Sequence, residues 1–230
     1  MYKNTSHKGS LLLASLATLG LGATTAAEAT VIGSIPGGSA TNEFLPVATG
    51  GSPIEGWYGG SIYLIAGVGG ASIGIDYFGS EAGFNNSFCF TGAACISTGG
   101  GTNAFSYPAP LVPTQTVNNV ASGLLSFSFG IDSLVQTLFN GANGDNSDAQ
   151  PNFFATFTEF DTTINGSTPA GGQFVWLFLD DGGAGNDDNH DDMVIRLSIR
   201  NGTVSVPEPT SLALLGFGLL GAGFARRRVR

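Results

Sequence analysis

The sequence predicts an all-β protein, a β-sandwich for which jelly-roll connectivity is one arrangement, flanked by a secretory leader and a hydrophobic C-terminal segment. Three observations point there. Apolar and polar residues alternate over short segments, most clearly where Leu125, Phe127, Phe129 and Ile131 interleave with Ser126, Ser128 and Gly130. Glycine, asparagine and proline break the chain between such segments, and no stretch from 30 to 206 sustains a long helical period. The chain also carries seventeen phenylalanines, ample apolar surface for a packed core rather than a disordered segment.

Taken in order, residues 61–66 and 72–77 read as glycine-bounded strands. In the second, Ile73, Ile75 and Tyr77 alternate with Ser72, Gly74 and Asp76. The glycine runs at 67–70 and 99–101 read as loops. Residues 125–131 form the half-buried strand already described, and 133–140 could make a turn or two of helix. Residues 153–160 are aromatic and threonine-rich, and read as a strand. Residues 174–179 are continuously apolar, as expected of a central strand covered on both faces. Ile195, Leu197 and Ile199 then alternate with Arg196, Ser198 and Arg200, and Asn201-Gly202 reads as a hairpin turn into 203–206. Residues 30–206 make one domain by length.

Charge narrows the function. Seventeen acidic residues occur in the chain; excluding Glu28 and Glu208 leaves fifteen between 30 and 206, against Arg196 and Arg200 alone. A surface with net charge near -13 repels nucleic acid, which is held through lysine and arginine, and suits divalent cations or solubility outside the cell.

Cys89 and Cys95 are the only cysteines. In an oxidising compartment so close a pair reads as one disulfide closing a tight loop, worth about 2 kcal/mol on loop-closure arithmetic. A catalytic cysteine would need a nearby base, and His190 lies in a distant region; a zinc site would need more Cys or His.

The segment 180–192 is the densest in candidate ligands. It holds Asp180, Asp181, Asp187, Asp188, Asp191 and Asp192 with Asn186 and Asn189. Calcium takes six to eight hard oxygens, and Asp181, Asp187, Asn189, Asp191 and Asp192 are the candidate set. Asp187, Asn189 and Asp191 share the spacing of the first EF-hand ligands, but Asp192 and Ser198 stand where its glycine and glutamate belong. Residues 182–187 resemble one opening of a calcium-binding nonapeptide repeat, a motif that works by stacking. The competing reading is a solvated acidic loop, with His190 a solvated or turn residue. Carboxylates this close repel, however, and a bound ion relieves that.

Both ends carry targeting signals. Lys3 and Lys8 precede an apolar stretch at 11–22, and Ala27-Glu28-Ala29 offers small residues for signal peptidase, so residues 1–29 read as a leader for the Sec translocon. At the other end, Pro207-Glu208-Pro209 precedes an apolar run at 212–225 and the basic cluster Arg226, Arg227, Arg228 and Arg230. Fourteen helical residues rise about 21 Å, short of the roughly 30 Å hydrocarbon core, so the run makes a strained span with its arginines on the cytoplasmic side. The prolines keep the preceding peptide extended and exposed to a protease.

That three-part order over residues 207–230 resembles the PEP-CTERM sorting signal of exported bacterial proteins. The resemblance implies an exosortase as processing partner, transient tethering in the inner membrane, and release to the cell surface or matrix. Trp57-Tyr58-Gly59-Gly60, the run from Phe78 to Asn86, and the elements Leu179 to Gly183 and Asn189 to Val194 also look like recurrent features of PEP-CTERM ectodomains.

The expected function is therefore that of an exported, non-enzymatic surface or matrix protein. A calcium-dependent module binding carbohydrate, such as exopolysaccharide, is the main alternative, with Trp57, Tyr58 and Trp176 as a possible stacking platform or, for Trp176, core. A glycosidase using a carboxylate pair such as Glu159 and Asp161 comes third.

Overall fold

The computed structural model describes residues 30–37, 41–81, 83–101, 103–132, 135–160, 168–185 and 187–207. The leader expected at 1–29 and, apart from Pro207, the sorting tail expected at 207–230 lie outside them. In chain order the elements are β1 (Val31–Ile35), α1 (Phe44–Thr49), β2 (Ile54–Tyr58), β3 (Tyr63–Ala66), β4 (Ala71–Glu81) and β5 (Asn86–Phe90). Next come β6 (Ile96–Ser97), β7 (Asn103–Phe105), β8 (Gln115–Val120), β9 (Gly123–Leu124), β10 (Phe127–Ile131) and β11 (Gln136–Phe139). The last are β12 (Asn152–Thr156), β13 (Gly171–Gly172), β14 (Phe174–Asp180), β15 (Met193–Arg200) and β16 (Gly202–Ser205).

These strands form an antiparallel β-sandwich. The large sheet runs β1-β2-β12-β14-β15-β4-β7, with β8 beside the other end of β4. Two four-stranded sheets, β11-β10-β5-β6 and β13-β16-β3-β9, oppose it. Between the layers, Ile73, Ile75, Val175, Leu177 and Leu197 of the large sheet share one core with Leu64, Phe88, Phe127, Phe129 and Val204.

The apolar run at 174–179 becomes β14, and its uniform burial has a simple cause. Val175, Leu177 and Leu179 point into the sandwich, while Trp176 and Phe178 point to the other face, under a second core. Phe44 of α1 covers that face, its ring 5.9 Å from Trp176 and 5.8 Å from Phe178. Each side chain buried this fully contributes roughly 1.5–3 kcal/mol, so the strand is held from both sides. The helix stops at Gly50, whose φ of 71° is left-handed and open to glycine without strain. At its start, Asn42 Oδ1 accepts from Leu45 N–H at 2.8 Å, and the Asn42 amide donates to the Asn189 carbonyl at 2.7 Å. One asparagine thus fastens the helix to the acidic loop.

Three local expectations are corrected. Asn201-Gly202 is not a hairpin turn. β15 pairs with β14 and β4, whereas β16 pairs with β3 and β13, so the chain changes sheets there. Its neighbour does the same between β3 and β4, and Gly67 N–H donates to the Asn201 carbonyl at 2.7 Å across the shared corner. Asn201 does adopt a left-handed φ of 57°, but it serves this corner. The second concerns the helix expected at 133–140: within it, 136–139 is β11, with Phe129 opposite Leu138. Leu138 is buried and Phe139 exposed, the alternation of an edge strand over a core. The strand expected at 153–160 ends at Thr156.

Candidate functional site

The acidic segment joins β14 to β15, neighbours in the centre of the large sheet, so both its ends are rigidly held. It is not a solvated loop. Asp180, Asp181, Asn189, His190, Asp191 and Asp192 are all buried, and Asp187 alone among its described aspartates is exposed. Arg196 and Arg200, the domain's two cations, both lie further along β15. The segment itself contains no lysine or arginine.

The fold sorts these acids into two groups. In the first, Asp181 Oδ2 accepts from the Asn86 amide at 2.7 Å, and Asp192 Oδ2 accepts from Asp181 N–H at 2.7 Å. Asp191 Oδ2 accepts from Glu43 N–H at 2.5 Å, while its Oδ1 is buried without a hydrogen-bond partner. Asn189 donates to Asp187 Oδ1 at 3.2 Å, and its own buried Oδ1 has no partner either. Glu81 and Glu43 add their charges from β4 and the start of α1.

Burial drives the protonation of this group. Asp191 is pushed up to about 7, first by desolvation and then by the charges of Glu81, Glu43 and Asp187, against the opposing Glu43 N–H. Burial also raises Asp181 and Asp192, and the charge of Asp181 adds to the rise at Asp192. Glu81 is raised by burial and then by Asp187 and Glu43. Carboxylates so placed favour a proton or a cation.

The second group centres on His190, which is fully buried and holds a left-handed φ of 58°. Its ring packs edge-on against Tyr58, with centroids 5.2 Å apart. Its Nδ1 lies 3.2 Å from Asp188 Oδ1 and 3.5 Å from Asp180 Oδ2, and these three ligand atoms lie within 4.8 Å of one another. Asp180 Oδ1 accepts from Gly182 and Gly183 N–H at 2.8 and 2.6 Å, which fixes the carboxylate and leaves Oδ2 turned to the ring. Burial raises Asp180 to about 6, against the pull of His190 and those two N–H groups. Asp188 is lowered, first by its contact with His190.

A relay of amides sets the imidazole tautomer. The Asn146 amide donates to Asp188 at 3.1 and 3.2 Å, and a carboxylate can only accept. Asn146 Oδ1 therefore accepts from Asn152 at 2.8 Å, and Asn152 Oδ1 faces His190 Nε2 at 2.8 Å. Nε2 carries the proton in this network, and Nδ1 is turned to the two carboxylates.

Of the five residues expected as calcium ligands, Asp181, Asn189, Asp191 and Asp192 are buried and Asp187 is exposed, and Asp191 Oδ2 accepts from Glu43 N–H. Sequence reading missed Asp180, Asp188 and His190 as a constellation, and missed the asparagines at 42, 86, 146 and 152. The motif ending in Asn86 was the one available signal among them.

Elsewhere, Cys89 and Cys95 are bonded at 2.03 Å. Trp57, Tyr58 and Trp176 are buried, so they offer no stacking platform for a sugar. Glu159 pairs with Arg196, whose guanidinium lies 5.1 Å over Phe174, and Asp161 lies outside the described residues. A groove of about 370 Å³ on the outer face of the β10–β5 pair is lined by Ser87, Ser128, Asp132, Gln136 and Thr137 among others, with no aromatic ring.

An antiparallel sandwich with a disulfide and a buried acidic loop defines the class of this ectodomain. Residues 205–228 match the family model of the PEP-CTERM protein-sorting motif, so the tail of the chain carries that motif. The motif implies an exported protein, anchored in the membrane before an exosortase processes it. No curated protein and no solved structure matches the chain. Among the described residues no helix is long and apolar enough to cross a membrane; the segment expected to do so, 212–225, lies outside them.

Proposed function

We propose that this protein is a non-enzymatic component of the cell surface or extracellular matrix, delivered there by exosortase processing of its tail. The sorting motif at 205–228 carries this reading. The acidic surface and the close cysteine pair both suit an oxidising exterior. The Sec translocon and signal peptidase would handle its leader, and the inner membrane would hold it briefly. Replacing Pro207, Glu208 and Pro209 together should trap the chain in the inner-membrane fraction. Normal release of that variant would refute exosortase sorting.

A second element of the proposal is calcium in the first acidic group, held by Asp181, Asp187, Asn189, Asp191 and Asp192. The unpartnered, buried oxygens of Asp191 and Asn189 support it, since each is a hard donor of the kind calcium takes. On this reading the ion ties the loop to Glu43 and Glu81. A calcium-dependent hold on exopolysaccharide is the alternative role of the same site, and a glycan array run with and without EDTA separates the two. Neutralising Asp187 and Asp191 together should abolish calcium binding in calorimetry.

A further inference from the structure

The pocket formed by Asp180, Asp188 and His190 differs chemically from the all-oxygen group beside it. It offers one imidazole nitrogen and two carboxylate oxygens, and two of these atoms are orphans. His190 Nδ1 and Asp180 Oδ2 are both fully buried and have no hydrogen-bond partner. The amide relay commits the ring N–H to Nε2, so in a neutral imidazole the Nδ1 lone pair would face two carboxylates. Something positive belongs between them.

A proton on Nδ1 is one solution, but it serves the acids unequally. A single N–H points at one acceptor, and Asp188 at 3.2 Å is nearer than Asp180 at 3.5 Å. Asp180 Oδ2 would stay buried and unpaired. A metal ion serves all three atoms at once. Bonds of about 2.0–2.1 Å in a tetrahedron place neighbouring ligand atoms roughly 3.3 Å apart, in the range of the two nitrogen–oxygen separations here. The surroundings match as well: a ligating histidine commonly donates its other ring N–H to an oxygen acceptor, and Asn152 Oδ1 fills that place. The partial exposure of Asp188 gives solvent, and an ion, a way in.

We propose that Asp180 Oδ2, Asp188 Oδ1 and His190 Nδ1 bind a divalent transition metal of the zinc class, with water completing the shell. Imidazole with carboxylate suits zinc, cobalt, nickel or manganese, whereas calcium and magnesium select oxygen alone. The ion pins the β14–β15 connection to the segment around Asn146 and Asn152. The site is separate from the calcium reading and does not rest on the sorting reading.

The test uses the full chain in detergent, stripped with a chelator and then titrated with zinc chloride against a chromophoric indicator. One zinc per chain is expected, unmoved by millimolar calcium. Cobalt in its place should give visible absorption bands of four-coordinate intensity. His190→Gln and Asp188→Asn should each weaken zinc binding at least a hundredfold, while Asp148→Asn, an exposed acid nearby, should change it less than twofold. Failure of the wild-type chain to bind stoichiometric zinc or cobalt overturns the proposal, whatever the variants do. So does displacement of zinc by calcium, or retention of the site in a folded His190→Gln protein.

Discussion

Replacing Asp191 by asparagine should make the metal-free ectodomain more stable at neutral pH and leave it unchanged in acid. The carboxyl is fully buried, and its affinity for a proton is raised from 3.8 to about 7. A group raised on folding stabilises fully below its unfolded value, and that contribution is lost as pH climbs through the folded value. About three pH units at 1.36 kcal/mol each give an upper bound on the order of 4 kcal/mol, lost between roughly pH 4 and pH 7. Asparagine keeps an oxygen to accept from Glu43 N–H and carries no charge to desolvate. Urea unfolding in EDTA, followed by tryptophan fluorescence from pH 4 to 8, gives the difference between variant and wild type. It should grow with pH in the variant's favour by up to that bound. Calcium should then narrow that difference. At a hundredfold excess over its dissociation constant it should stabilise the wild type by about 2.7 kcal/mol and the variant far less, with magnesium a poor substitute. A difference that is flat with pH would show that Asp191 is not held against its charge, and the electrostatic account of the loop would fail.

Other expectations follow from the cysteines and the second core. Protein folded in an oxidising compartment should resist alkylation at Cys89 and Cys95 until reduced, with a mass two hydrogens below the reduced form; ready alkylation without reductant would contradict the compartment. Trp176→Ala removes a ring within 4.6 Å of both Phe78 and Phe160 at the centre of the second core, and should cost roughly 3–5 kcal/mol by urea unfolding. A loss below 1 kcal/mol would show that this face is not a packed core.

The legible parts of the fold are those whose signal is local. β14 announces itself by six consecutive apolar residues, and β15 and β10 by strict alternation, because each meets a core on a fixed period. β1, β2, β5, β7 and β8 are diluted by glycine, asparagine and serine, and acquire their strand state from partners far along the chain. Asn201 illustrates the limit. Its dipeptide fits a hairpin locally, but β3 and β4 break at the same level and carry both strands into another sheet. The acidic site divides in the same way. Its carboxylates are dense enough to find by reading. Spacing could not reveal that Asp191 turns to Glu43 while Asp188 turns to His190. Nor could it reveal that Asn86, Asn146 and Asn152 arrive from 95, 42 and 38 residues away. Those contacts come from sheet pairing and from long loops, which no local window contains.

The tail carries the sorting of this protein, and the mass of the mature chain tests that most directly. Intact-mass spectrometry of the protein recovered from the surface or medium of its native host should show a chain ending near the Pro207-Glu208-Pro209 motif, without the apolar run and Arg226 to Arg230. A surface or extracellular protein that still carries Arg230 would contradict exosortase processing.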